Sequence, residues 1–253
     1  MEFDLLHLPQ FYGGAVYFDT PHIPAVLAHW REWSEGLPEQ ATTSFVLFQL
    51  PPLDIVPPPL ADKLTIGVRF AWTGDPAEGE RLLDEVRAVA PVLLDDAALK
   101  PYTAIDSVHA DPVDRMPVLE ASTLLREFPA EADALLAVAG AGSGSPQVLV
   151  EVRQLGGAYS REPAHPNAFS HRAARFSVLT VGISMDPTVA PHGERVLAAL
   201  AALDIGRVWP NFAPADDGAS AARAYDAATL QRLGEITAAY DPHGVLAVGG
   251  YTR

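Results

Sequence analysis

Leu64, Ile66, Val68, Phe70 and Trp72 alternate with Thr65, Gly67, Arg69 and Ala71. A strand points successive side chains to opposite faces, so this two-residue period predicts a strand with one buried apolar face. Gly14–Asp19 (GAVYFD) and the β-branched, aromatic run Thr43–Leu50 (TSFVLFQL) predict two more strands. Between them Ile23, Val26, Leu27 and Trp30 recur at helical spacing, which predicts an amphipathic helix over 21–35. Five prolines between Pro51 and Pro59 demand an irregular loop.

A second helix, over 76–89, follows the alternating strand. Asp75 is its candidate N-cap, Pro76 stands at the first helical position, and Glu78 completes a pattern like a capping box. Leu82, Leu83, Val86 and Val89 form its apolar stripe, and Pro91–Leu94 begins another strand. Residues 11–95 therefore read β-α-β-β-α-β, the order of a ferredoxin-like split unit. The expected fold class is α+β: an antiparallel sheet with helices packed on one face. The Leu64–Trp72 stripe should meet both helices, leaving Arg69 on the opposite face.

Further along, 129–139 reads as a helix and Ala139–Pro146 (AGAGSGSP) as a loop. Val148, Val150 and Val152 alternate with Leu149, Glu151 and Arg153 in a strand, and Phe176–Ser184 forms another. A helix over 191–203 carries Val196, Leu197, Leu200 and Leu203, and a last helix runs over 221–240. Asp241-Pro242 stops it, because the residue before proline is pushed out of the helical region. No linker separates a second apolar unit, so one domain over 1–253 is expected.

Composition narrows the function classes. Hydrophobic residues make up 49% of the 253 and charged residues 19%, enough for a sizeable core. Thirty-two acidic residues face seventeen basic ones, a net charge of −15 that repels nucleic acid and anionic lipid. No cysteine is present, which removes disulfides, thiolate metal sites and a Cys nucleophile. Met1-Glu2-Phe3-Asp4 resembles no secretion leader, and no apolar run reaches membrane-span length, so a cytoplasmic protein is expected.

Spacing alone yields little chemistry. Gly140-Ala141-Gly142-Ser143-Gly144 sits between a helix and a strand, the reverse of a dinucleotide-binding turn. There is no GxxxxGK[ST] loop and no G-x-S-x-G elbow. His22 with His29, and His165 with His171, lack both the zinc-site spacing and a third ligand, so no metal is expected. Asp95-Asp96 and Asp216-Asp217 are adjacent pairs, ordinary in loops.

Three segments taken together are more specific. Leu155-Gly156-Gly157-Ala158 is followed by Asn167-Ala168-Phe169-Ser170-His171-Arg172-Ala173; then comes Trp209-Pro210-Asn211-Phe212; last are Ala224-Tyr225-Asp226, Leu230, Leu233 and Tyr240-Asp241-Pro242-His243-Gly244. In order and spacing they resemble the C-terminal, substrate-domain half of the berberine bridge enzyme-like FAD-linked oxidoreductases. Glu2-Phe3-Asp4-Leu5 is similar to the strand that follows that family's FAD-binding domain. The resemblance implies a broad antiparallel sheet whose open face meets the flavin and lines a substrate pocket. It also implies that the FAD-binding domain is absent here, and a chain without Cys cannot form the thioether link to flavin.

Departures from the family pattern bear on the chemistry. The first tyrosine of the family's Tyr-x-Asn-Tyr motif, a proton acceptor in many relatives, is Trp209 here, and its partner position is Phe212. Neither an indole N–H nor a phenyl ring can take a proton. The tail Leu246–Tyr251 lacks the family's Asn-rich ending. Candidate acid/base groups are Tyr159 and Glu151, each equally open to a structural role. Gly156, Gly157, Arg69, Arg153, Trp209, Asn211 and Phe212 are the residues expected to face cofactor or substrate.

Two functions follow. One is the substrate-binding half of a FAD-dependent oxidoreductase acting on a small hydroxyl- or amine-bearing molecule, with flavin supplied by another polypeptide. The other is a flavin-free descendant that binds a small molecule or catalyses a redox-neutral cyclisation or isomerisation; an inactive gene product is the bland third reading. FAD is not expected to bind this chain alone. The expected partners are a small-molecule substrate and either a FAD-domain polypeptide or a second copy docked on the open sheet face.

Overall fold

The computed structural model describes residues 5–112, 114, 116–213 and 218–245. Glu2–Asp4, Asp216-Asp217 and the Leu246–Tyr251 tail lie outside the described residues. The elements are β1 (Gln10–Asp19), α1 (Ile23–Glu35), β2 (Ala41–Gln49), β3 (Leu64–Trp72), α2 (Pro76–Arg87), β4 (Val92–Asp95) and β5 (Ala98–Pro101). They continue as β6 (Val118–Leu125), α3 (Ala134–Ala139), β7 (Gln147–Gln154), β8 (Phe176–Ile183), α4 (Val189–Ala199), α5 (Gly218–Ala224) and α6 (Ala227–Tyr240).

All eight strands join one antiparallel sheet in the order β4-β1-β3-β2-β7-β8-β6, with β5 also pairing β1 at the β4 edge. β3 lies between β1 and β2, the interleaving that a β-α-β crossover followed by a hairpin produces. The second half repeats the pattern: β6, α3, β7, β8 and α4 follow one another, and β8 lies between β6 and β7. β2 pairs with β7, placing Val46 opposite Glu151 and Leu47 opposite Val150. The two halves are thus joined through equivalent antiparallel strands.

One face of the sheet is the core. Ile66, Val68, Phe70 and Trp72 pack there with Val26, Leu27, Trp30 and Trp33 of α1 and with Leu83 and Val86 of α2, as the alternation predicts. Leu135, Val196 and Leu200 continue the same layer across the second half. Trp30 is wholly buried and meets Phe45, Phe128 and Phe176 edge-on, with ring centroids at 4.9, 6.0 and 6.0 Å. Its indole N–H donates to Thr43 Oγ1 at 3.0 Å, so the one polar atom it buries is satisfied.

Local signals behave as their chemistry requires. Asp75 caps α2 by accepting from the backbone N–H groups of Ala77 and Glu78. Gly67 has no Cβ because one would stand 2.8 Å from the ring of Tyr17, which lies across it from β1.

Three differences from the sequence reading stand out. β6 lies in a stretch where the pattern predicts no element, since both of its faces mix polar and apolar side chains. The helix expected over 191–203 spans Val189–Ala199; Leu200 and Leu203 remain in the apolar layer from the turn that follows. The helix expected over 221–240 is two helices, broken at Tyr225-Asp226. Asp226 accepts a hydrogen bond from the Thr229 N–H and so starts α6 as its N-cap, where a continuous helix would leave that carboxylate idle.

Candidate functional site

The face opposite the helices collects the polar residues of the central strands. Strand register places Ala15, Arg69, Ser44, Arg153 and Ser177 in one lateral row, and Tyr17, Gly67, Val46, Glu151 and Leu179 in the next. Thr65 shares this face with Phe48 and Leu149 in a third row. The face is roofed in parts by loops. Leu60 and Val56, from the proline-rich segment, pack on Ala15, Tyr17, Val46 and Phe48 at one end. Near the middle, the turn that ends at His109 lies over Arg69, whose Nη2 donates to the His109 carbonyl at 3.0 Å.

Under that roof two arginines share one carboxylate. Arg69 Nη1 donates to Glu151 Oε1 at 2.9 Å, Ser44 Oγ donates to the same oxygen at 2.6 Å, and Arg153 Nη2 donates to Oε2 at 3.0 Å. Arg69 and Glu151 are each 3% exposed. Burial pushes the Glu151 carboxyl up, but Arg69 and Arg153 outweigh it and hold the group below its ordinary range. The carboxylate is therefore ionised with both oxygens occupied, an arrangement that orients two guanidinium groups and leaves little basicity for substrate. The imidazole of His109 stands 3.8 Å from Glu151 Oε1; burial, and then Arg69, lower its pKa and keep it neutral.

Arg153 leads on to an aromatic cluster. Its guanidinium lies 5.6 Å from the centre of the Phe212 ring, Phe212 is 5.7 Å from Trp209, and Trp209 is 5.3 Å from Tyr159. Phe169 meets Tyr159 edge-on at 4.6 Å, and Arg172 covers Phe169 at 4.8 Å. The cluster is tied to the sheet where Ser122 Oγ donates to the Phe212 carbonyl at 2.6 Å. The Trp209 indole N–H donates to Tyr159 Oη at 2.6 Å. Burial raises the Tyr159 pKa further than the Trp209 hydrogen bond lowers it, so the phenol keeps its proton at neutral pH.

Six of the residues expected from sequence, Arg69, Glu151, Arg153, Phe212, Trp209 and Tyr159, thus form one unbroken run of contacts. Asn211, in the same turn as Phe212, is exposed. Gly156 and Gly157 lie beyond the end of β7; Gly157 adopts φ 53° and packs beside Glu39, which pairs with Arg161. Phe169 comes from the Asn167–Ala173 segment that carries the resemblance, whereas Ser44, His109 and Phe48 join the site without having carried a sequence signal. Their roles arise from partners many residues away, as with Ser44 and Glu151, 107 positions apart. Among the described residues no cluster of three His, Asp or Glu side chains could hold a metal ion, and no helix is long and apolar enough to cross a membrane.

No protein-family model matches the chain, and no curated protein matches it in sequence. Solved structures do match. BBE-like 1 of Physcomitrella patens superposes over 94% of this chain and 53% of its own, with a TM-score of 0.70 at 14% identity. The chain shares the fold of the berberine bridge enzyme-like proteins. Berberine bridge enzyme from Eschscholzia californica superposes over 95% of this chain and 54% of its own, at TM-score 0.70 and 14% identity. For 6-hydroxy-D-nicotine oxidase from Arthrobacter nicotinovorans the shares are 92% and 52%, at TM-score 0.69 and 15% identity. The chain spans about half the length of each of these structures.

The flavin dinucleotide that this fold implies needs a cradle for its pyrophosphate. Gly142 and Gly144 adopt φ 75° and 67°, but nothing lies within 4 Å of where a Cβ would stand at either. Their loop follows α3 and precedes β7, so no helix N-terminus faces it. The Gly142–Gly144 loop does not fit the pyrophosphate; what the described residues offer is a charged and aromatic surface on the open face.

Proposed function

We propose that this chain is the substrate-binding half of a berberine-bridge-type FAD-dependent oxidoreductase, acting on a small hydroxyl- or amine-bearing molecule. The observation that carries the reading is the run of contacts from buried Arg69 and Glu151 through half-buried Arg153 to Phe212, Trp209 and Tyr159. It occupies the sheet face which, by resemblance, meets flavin and substrate. We read the β4-β1-β3-β2 half of the sheet as a ferredoxin-like unit that serves as its scaffold. A flavin, when bound, accepts a hydride from the substrate. This chain's residues would bind and orient the substrate: Arg153 and Tyr159 offer hydrogen-bond donors, and Phe212 and Trp209 offer ring surface.

The flavin domain would come from elsewhere, either another polypeptide or a further part of the same protein, and FAD would not bind this chain alone. A second copy docked on the exposed part of the open face is the alternative partner. We place the protein in the cytoplasm.

A second reading is favoured by one observation. Trp209 and Phe212 stand where a base is expected, Tyr159 keeps its proton, and both Glu151 oxygens are engaged. A flavin-free descendant that binds a small molecule, or catalyses a redox-neutral cyclisation or isomerisation, fits that set of groups. The deciding experiment mixes the purified chain with a flavin-loaded berberine-bridge-type FAD domain and candidate alcohols or amines under anaerobic conditions. Bleaching of the flavin absorbance that depends on both polypeptides supports the oxidoreductase. Turnover or tight binding with the flavin unreduced supports the second reading.

A further inference from the structure

Resting on the open face as the substrate surface, we infer that the ligand of this site is an aromatic carboxylate. The inference starts from an imbalance of charge. Arg69 and Arg153 share the single carboxylate of Glu151, and the neighbouring imidazole of His109 is neutral. Arg69 is fully enclosed and its Nε is a buried donor with no acceptor. Within this ion-pair group two guanidinium charges meet one carboxylate, and a desolvated charge is costly unless a counter-ion meets it.

Arg153 is where a counter-ion can arrive. Its side chain is 25% exposed, and only Nη2 is engaged, with Glu151. Nε and Nη1 have no hydrogen-bond partner among the described residues, and the Phe212 ring holds the guanidinium in place. A planar guanidinium with one edge anchored and another free is suited to a carboxylate, which takes two parallel N–H donors. Among the described residues, further acidic groups of this face are Glu120 and Asp111. Glu120 is in the Phe48–Leu149–Val181 row, beyond Glu151 as seen from Arg153, and Asp111 sits close to it.

The rest of the ligand is set by what adjoins Arg153. Phe212, Trp209 and Tyr159 pack as tilted neighbours, with ring centroids 5.7 and 5.3 Å apart, and give an aromatic surface beside Arg153 that suits a flat aromatic body. Tyr159 already accepts from Trp209, so its own O–H proton is free to donate to a ligand oxygen. In a chain of net charge −15, a locally cationic surface selects for an anion that most of the chain repels.

Calorimetric titration of the full chain with 2-naphthoate and its neutral isostere 2-naphthamide tests this. Naphthoate should bind about tenfold more tightly, equivalent to about 1.4 kcal/mol. Arg153→Gln should abolish that preference, and Arg153→Lys should retain part of it. Phe212→Ala removes ring surface but no charge, so it should weaken both ligands while keeping the preference, and it serves if Arg153→Gln does not fold. Equal binding of acid and amide, or binding of neither, would overturn the inference. So would an undiminished preference in an Arg153→Gln protein that melts like the parent. No flavin enters these titrations, so a failure of flavin reduction and a failure of carboxylate preference are separable results.

Discussion

Trp209 donates its indole N–H to the hydroxyl oxygen of Tyr159 at 2.6 Å. The contact converts a position where the family resemblance leads one to expect a base into a hydrogen-bond donor. It also fixes the direction of the Tyr159 proton, since an oxygen that accepts from indole turns its own hydrogen elsewhere. The pair therefore leaves the Tyr159 hydroxyl as a donor and not as a base.

Tyr159 should titrate above the ordinary tyrosine value of 10, because burial disfavours the phenolate. Its stabilising contribution is complete below pH 10 and is lost as pH rises through the higher folded-state pKa. Ultraviolet difference titration of the parent against Tyr159→Phe should assign one late-titrating phenol to this residue. A difference spectrum that ionises at or below pH 10 would contradict the burial argument.

Glu151→Gln should destabilise the fold by about 3–5 kcal/mol, since it leaves the charge of Arg69 buried and less well paired. Because the folded pKa of Glu151 is depressed, its contribution is present above the unfolded value of 4.5 and disappears as pH falls through the folded pKa. Urea melts of parent and variant should therefore converge on acidification below about pH 4.5. Parallel curves down to strongly acid pH would show that the ion pairs do not carry this stability.

How far the sequence revealed all this depended on whether a signal was local. The Leu64–Trp72 alternation, the Ile23-Val26-Leu27-Trp30 stripe and the Asp75 cap are properties of neighbouring residues, and they were legible. β6, with Glu120 and Ser122 on one face and Thr123 on the other, presents no clean period. β5 spans only Ala98–Pro101. Asp226 looks like one polar residue within a helical stretch until its bond to the Thr229 N–H is known. In the site, side-chain parity put Arg69, Glu151 and Arg153 on one face. Ser44 and His109 were silent because their meaning comes from distant strands and loops that only the fold brings near.

Asp226→Ala should lower stability by about 1 kcal/mol through loss of the α6 N-cap. It also removes the acceptor of the Ser170 hydroxyl, 3.2 Å away, which ties the 167–172 segment to the start of α6. Thermal melts followed by circular dichroism should show a modestly lower midpoint, with Asp226→Asn recovering much of the difference because an asparagine oxygen also caps. If alanine melts with the parent, Asp226 is not the residue that breaks the two helices.

Trp30→Ala should cost about 3–5 kcal/mol, because the indole is the hub at which Phe45, Phe128 and Phe176 converge under both halves of the sheet. Thr43→Val separates the polar part of that effect from the packing part. It preserves shape but leaves the Trp30 N–H buried without an acceptor, a loss of about 1–3 kcal/mol. It also removes the hydroxyl that donates to the Arg69 carbonyl at 2.7 Å, joining the core to the strand that bears the first site arginine. Chemical denaturation of both variants, each against the parent, checks the order. A Thr43→Val protein as unstable as Trp30→Ala would mean that the hydrogen bonds, rather than the aromatic packing, hold the two halves together. A Thr43→Val protein as stable as the parent would mean that the indole N–H finds water, contrary to its complete burial.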